Sequence, residues 1–449
     1  MAEFVSGVQP PHLWLPLLSG RPREEITELL LNTSGSLRRY FRGHSLLKLD
    51  PEDAQAIACL ADGAAGASIF YHYLADVLPN RGYAAAAGEM LGIAARVLST
   101  SAMSPSLYAG LTGIAWAVAH LQRRGLKVVS ETDLRQIDSA LLSYMACLEW
   151  EGHFDLISGL VGLGVYGLER YPSPAGGLLV EQVVARLDGT AEHRDDESTW
   201  FTPSHHLHVT ARRQYPRGWY DLGIAHGVPG VIAFLSAACA VGANRPRTEW
   251  LLKRAVRWLL RQQLSEEFGS CFASCTSQDV APTSSRAAWC YGDPGIATAL
   301  LGAARCLRDS ACAQAALKVA HSGARRRLDD AGIVDMGICH GAAGLGHLFN
   351  RIYQATREDE FGSAARFWIL HALDMWREKI SSESNGASVD TANAKVLHGF
   401  LEGSCGVGLA LLGAVSYAEP AWDTVLLSSL PPSSLVDVKG NSVQCEISD

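Results

Sequence analysis

Apolar residues recur along this chain at helical rather than strand spacing. Ala84–Leu98, Ile137–Trp150, Trp250–Leu264 and Ala364–Trp376 each carry them in steps of three and four, and strand-like alternation is scarce. A Gly-x-x-Gly step followed by a further apolar helical stretch occurs seven times. The copies are GAAG at Gly63–Gly66, GLTG at Gly110–Gly113, GLVG at Gly159–Gly162, GVPG at Gly227–Gly230, GDPG at Gly292–Gly295, GAAG at Gly341–Gly344 and GSCG at Gly403–Gly406. First-glycine spacings of 47, 49, 68, 65, 49 and 62 residues leave room for two helices and their turns per copy. The pattern predicts an all-α chain of seven helix pairs. The glycine step opens one helix of each pair, where the missing side chains let neighbouring backbones approach closely.

Such a set forms either an open solenoid or a closed toroid. A solenoid needs polar outer faces on its terminal repeats, yet GAAGASIFYHYLA and GSCGVGLALLGAV both run into apolar helices, which leans toward closure. Two stretches break the rhythm. Residues 188–219 are polar, with His205, His206, His208, Pro203 and Pro216, and read as an extended insertion with short strands such as Leu207–Ala211. Cys271–Arg286 reads as a polar loop. The expected layout is an N-terminal extension over 1–45, a helical domain over 46–420 carrying the insertion, and a peripheral Ser/Pro-rich tail over 421–449.

Composition narrows the classes. Of 449 residues, 48% are hydrophobic and 19% charged, which suits a large buried core. The net charge of −8 and the lack of a basic stripe argue against nucleic acid as a partner. No apolar run is long enough to span a membrane. The N-terminus has no basic n-region and does not read as a signal peptide, so the expected compartment is the cytosol. The odd count of eleven cysteines then favours thiols and metal ligands over disulfides.

The polar residues beside the glycine steps share a register. Asp155 lies four residues before Gly159, His226 one before Gly227, Cys290 two before Gly292, and Cys339 and His340 two and one before Gly341. In a closed ring these five side chains meet at one end. Two Cys and one His form a soft ligand set suited to zinc, and three protein ligands leave the fourth position open, as in catalytic sites. The alternative is a set of buried thiols and a helix-capping His. Cys271 and Cys275 form a rival pair, read here as a reduced loop. Cys405 reads as a small buried thiol, the His205–His208 cluster as a solvated loop, and Glu402 and Asp62, which share His226's register, as solvated or helix-capping residues with the rim as the alternative.

WCYGDPG at Trp289–Gly295 and ICHGAAGLGHLF at Ile338–Phe349 resemble the zinc-binding motifs of the LanC family of lanthionine cyclases. LGIAHGVPG at Leu222–Gly230, FDLISGLVGLGVYGL at Phe154–Leu168, GLTGIAWAV and FLEGSCGVGLALL resemble its other signatures, in the same order over about residues 50–415. WCYGDPG is similar to the free-standing bacterial type. Ser404-Cys405 departs from the small residue usual in the last copy. The resemblance implies an α/α toroid of two concentric rings, with Cys290, Cys339 and His340 holding one Zn²⁺. It also implies Asp155 and His226 as the acid–base pair, with Arg286 and Tyr291 as further site residues. The implied reaction is addition of a precursor-peptide Cys thiol to dehydroalanine or dehydrobutyrine, giving a thioether ring. The implied partners are a dehydrated precursor peptide with its leader, a dehydratase and an exporter, in a complex associated with the membrane. The roles of His226 and Asp155 are not separable in the sequence. Two other readings stay open: a non-catalytic zinc scaffold that binds thiols or glutathione, and a paired-carboxylate glycosidase on a helical toroid.

Overall fold

A computed structural model describes residues 13–43, 50–146, 150–384 and 398–430. After α1 (Arg21–Gly43) and the short α2 (Pro51–Ala58), seven helices start at the seven glycine steps, each with the first glycine at its N-cap. These are α3 (Ala64–Val77), α5 (Leu111–Arg123), α7 (Leu160–Arg170), α10 (Val228–Ala240), α12 (Asp293–Leu307), α14 (Ala342–Thr356) and α16 (Ser404–Val415). They are apolar around most of their circumference and buried along most of their length, as an inner ring must be. The outer helices follow them in the chain: α4 (Tyr83–Thr100), α6 (Glu131–Met145), α8 (Pro174–Thr190), α11 (Arg245–Leu260), α13 (Ser310–Ala324) and α15 (Asp359–Ser384). Side-chain caps from Ser130, Ser173 and Asp309 start three of them.

The ring is closed by backbone hydrogen bonds between the loops that precede the inner helices. Ala61 N–H donates to Tyr108 O, Leu107 to Ile157, Leu156 to Ala225, Ala225 to Cys290, Cys290 to Cys339, Cys339 to Leu401, and Leu401 back to Ala61. The glycines make this approach possible. A Cβ on Gly113 would stand 1.8 Å from Leu107 O and 2.8 Å from Leu60 Cβ of the preceding repeat. Each of the other second glycines is crowded in the same way by the carbonyl six residues before it. The toroid implied by the sequence is the observed fold.

Three expectations are corrected. Residues 21–43, assigned to an extension, form an amphipathic helix that buries Ile26, Leu30, Leu37 and Phe41. It packs on α16, which has no outer helix following it among the described residues, so α1 completes the seventh pair. The stretch just before it is tied to the same helix, through Trp14 Nε1–H to Gly413 O at 2.9 Å.

The start of the tail is not peripheral. Trp422, Asp423, Val425, Leu426 and Leu430 are buried in a 3-10 turn (Ala421–Leu426) and the strand of chain beyond it. Tyr108 Oη–H donates to Val425 O and Trp289 Nε1–H to Leu426 O, both at 2.9 Å. Asp423 meets Arg351 Nε and His347 Nε2 at 2.5 and 2.8 Å, all three groups being buried. This turn therefore plugs the ring against residues of three repeats. Residues 431–449 of the tail, and 1–12 of the extension, lie outside the described residues.

The insertion does contain strands, but elsewhere than expected. β1 (Glu192–Arg194) and β2 (Glu197–Thr199) pair as an antiparallel hairpin, whereas 209–214 is helical, α9 (Val209–Gln214). Ala-Arg-Arg-Gln favours helix, and Arg212 fixes the turn by donating to the carbonyls of Ser204, His205 and Leu207. β3 (Tyr220–Asp221) pairs with β4 (Cys275–Thr276), which ties the insertion to the Cys271–Arg286 loop.

Candidate metal centre and its His–Asp neighbour

The inner helices all begin at one end of the ring, so the loops before them converge there. Cys290 and Cys339 sit on adjacent loops joined by Cys290 N–H to Cys339 O at 3.1 Å. Their sulfurs and a ring nitrogen of His340 lie within 4.8 Å of one another, the one such group of potential metal ligands among the described residues. His340 Nε2 lies 3.2 Å from Asp335 Oδ2, the carboxylate contact that commonly orients a ligating His.

The thiol pair has unequal acidity. The Cys339 S–H directed at it holds Cys290 well below the usual thiol range. Burial opposes this, while the His340 hydrogen bond and the charges of His340 and Arg286 add to it. Cys339 is correspondingly pushed up by its bond to Cys290, by burial, and by the nearby Glu402 and Asp335 carboxylates. Two thiols and an imidazole converging in this way fit a soft divalent metal.

Beside this cluster, His226 Nδ1 and Asp155 Oδ2 are 2.6 Å apart. Asp155 Oδ1 accepts Ser158 N–H at 2.8 Å, and the carboxylate is buried while His226 leaves 45% of its side chain exposed. Burial disfavours the imidazolium, but the hydrogen bond and charge of Asp155, with Asp221 and Cys290 nearby, outweigh it and raise the His226 pKa. The Tyr291 ring faces His226 at an interplanar angle of 27°, with centroids 6.5 Å apart. Its hydroxyl donates to Asp221 Oδ2 at 2.8 Å. Arg286 is exposed on the same rim, close enough for its charge to act on Cys290. The seven residues singled out in the sequence are thus brought to one end of the ring.

Other residues join them that sequence reading passed over. Asp221 is buried, also accepts Gly223 N–H at 2.8 Å, and is pushed up to about 6 by burial against the pull of His226. Asp335 accepts Gly337 N–H in the same way at 2.7 Å. A signal existed: His153, Asp221, Arg286 and Asp335 each lie six residues before their repeat's first glycine. The insertion contributes too. A cavity of about 350 Å³ is floored by Asp155, His226 and Tyr291 and roofed by Thr202, His206 and Trp219. His206, assigned to a solvated loop, packs against His153 in that roof, with ring centroids 4.4 Å apart and the rings tilted by 35°. The rival candidates stay apart. Cys271 donates its N–H to Asp293, Cys275 lies against Tyr215, and Cys405 is fully buried within α16.

Three comparisons bear on this arrangement. The curated relative "Nisin biosynthesis protein NisC" of Lactococcus lactis subsp. lactis is 25% identical over 343 residues, 71% of this chain and 76% of that protein. The solved structure "Nisin cyclase" superposes with a TM-score of 0.73 over 90% of this chain and 98% of that one, at 21% identity, which bears on the fold. The family model "Lanthionine synthetase C-like protein" matches residues 58–427. With the toroid, the glycine steps and the Cys-Cys-His cluster in place, the chain belongs to the lanthionine synthetase C-like family.

Proposed function

We propose that this protein is a zinc-dependent lanthipeptide cyclase, with Cys290, Cys339 and His340 as the metal ligands. The observation that carries the reading is the meeting of this soft three-ligand set with a His–Asp pair at one end of the ring. Zinc held there would supply the charge that favours the thiolate of a substrate Cys at neutral pH. The substrate thiol gives up its S–H proton to solvent, its sulfur forms a bond to the β-carbon of dehydroalanine or dehydrobutyrine, the C=C π electrons move to the carbonyl, and the α-carbon takes a proton in turn.

The chain's own residues complete the balance. His226 delivers the proton to the α-carbon, and its exposed ring and raised pKa suit a general acid. Asp155 holds that ring by Nδ1 and steadies its charged form. Arg286 offers fixed positive charge to the enolate, and Tyr291, anchored by Asp221, forms the wall beside His226. The inner-helix N-termini point their positive ends at this rim, which favours the anionic groups of the reaction.

The insertion meets the peptide rather than the metal. A groove of about 690 Å³ along Trp150, Phe201, Pro203 and His205 shares Phe154 and His206 with the cavity over His226. A dehydrated precursor peptide with its leader is the substrate this reading requires, delivered by a dehydratase and passed to an exporter in a membrane-associated complex. The nine described cysteines are free, as expected for work in the reducing cytosol. No described helix is long and apolar enough to cross a membrane.

Thioether formation is an isomerisation, so mass alone does not report it. Incubation with a peptide carrying Cys and dehydroalanine, then alkylation, should show one fewer labelled thiol per ring. Full labelling of the peptide after incubation with zinc-loaded protein would leave the non-catalytic scaffold in its place.

A further inference from the structure

A second cavity lies at the opposite end of the ring from the metal ligands. It is walled by the C-terminal halves of α5, α7, α10 and α12 and closed on one side by the C-terminal turn, and it encloses about 510 Å³. Much of the lining is small or apolar, including Trp116, Ala237, Gly302 and Leu427. That volume and character fall within the range of small-molecule sites.

The cations at its edge differ in their partners. Arg123 and His120 share Glu169, each at 3.4 Å. Arg124 is paired with Asp76 and lies 4.4 Å over the Tyr73 ring. Arg305 has no carboxylate partner among the described residues, and its buried Nε has no acceptor. Burial works against its charge with no carboxylate to offset it. The hydroxyls of Ser236 and Thr298 donate to Ile232 O and Pro294 O of their own helices, so they do not compete for a ligand. A partly buried guanidinium beside an apolar cavity is stabilised by an anion that brings its own apolar body.

We propose that this cavity is a second binding site, for a small organic carboxylate with an unbranched apolar chain. The carboxylate sits on Arg305 and the chain lies along Trp116, Ala237 and Gly302. The site is separate from the proposed chemistry, and its test does not depend on turnover. Decanoate is titrated into the full-length, metal-loaded protein by calorimetry and by tryptophan fluorescence, with decanol as the uncharged control. The expected result is saturable one-to-one binding, weakened at least tenfold for decanol and for Arg305→Met. Ala237→Phe, which fills the cavity, should abolish it, and each variant's melting curve checks that it folds. Absence of saturable binding, equal binding by Arg305→Met, or survival of binding in Ala237→Phe would overturn the proposal.

Discussion

At the scale of the residue, labour divides between the proposed ligands and the His–Asp pair. Cys290→Ala removes the more acidic thiol of the cluster, so elemental analysis of that variant should find most of the metal gone. Full metal content would remove Cys290 from the ligand set. Asp155 supports the charged form of His226, so Asp155→Asn should lower the His226 pKa. If His226 is the acid, its protonated form is the active one, and cyclisation falls as pH rises through that pKa. The variant's pH–rate profile should therefore fall off at lower pH than the wild type's, and an unmoved alkaline limb would speak against the pairing. The residues of this site were legible because their chemistry is tied to a glycine register that the sequence displays. Asp221 shares that register but its partner was not legible there, and His206 has no register at all. Asp221 gains its meaning from a Tyr291 hydroxyl 70 residues away, and His206 from an insertion whose path carries no periodicity.

At the scale of the element, the inner helices were readable because they are apolar all round and punctuated by glycine, whereas α1 and the C-terminal turn were misassigned. Both complete the ring through contacts distant in sequence, α1 with α16 and the turn with Tyr108, Trp289 and Arg351, which local patterning does not encode. The turn makes a specific demand. Asp423 is the buried counter-ion of Arg351, with its pKa held low by Arg351 and His347 against the cost of burial. Asp423→Ala removes the fully buried carboxylate partner of Arg351 and leaves it only the half-exposed Glu419 at 2.7 Å, so it should cost about 3 kcal/mol, read as a shift in the denaturant midpoint. The sign with pH follows from the lowered pKa. The pair's contribution is present above the ordinary carboxylate pKa and is lost as pH falls through the lower folded value. The wild-type advantage over Asp423→Ala should accordingly narrow in strong acid, and a loss much below 1 kcal/mol near neutrality would contradict the assignment. Deleting the insertion between β2 and β3 tests a different element. Metal content should survive, because no ligand comes from it, and loss of metal from a protein that stays folded would show that the roof also shapes the metal cluster.

At the scale of the whole molecule, the ring is held by its core and by loop-to-loop hydrogen bonds at seven junctions, three of which are made by Cys290 or Cys339. Chelation should lower the melting temperature through loss of a ligand bound only to the folded state while leaving the helical content intact, and wholesale unfolding on chelation would contradict this. The toroid brings together side chains spread over almost 190 residues, so the central claim is one about convergence: the metal ligands and His226 act on one substrate at one rim. General acid–base groups contribute about 10²–10⁴-fold to rate. The most direct measurement is zinc content and cyclisation rate on the same preparation of His226→Ala, with remaining peptide thiols counted by alkylation. The account predicts wild-type zinc and a rate reduced by about 10²–10⁴-fold. A variant that cyclises at the wild-type rate, or that loses its zinc stoichiometrically, would contradict it.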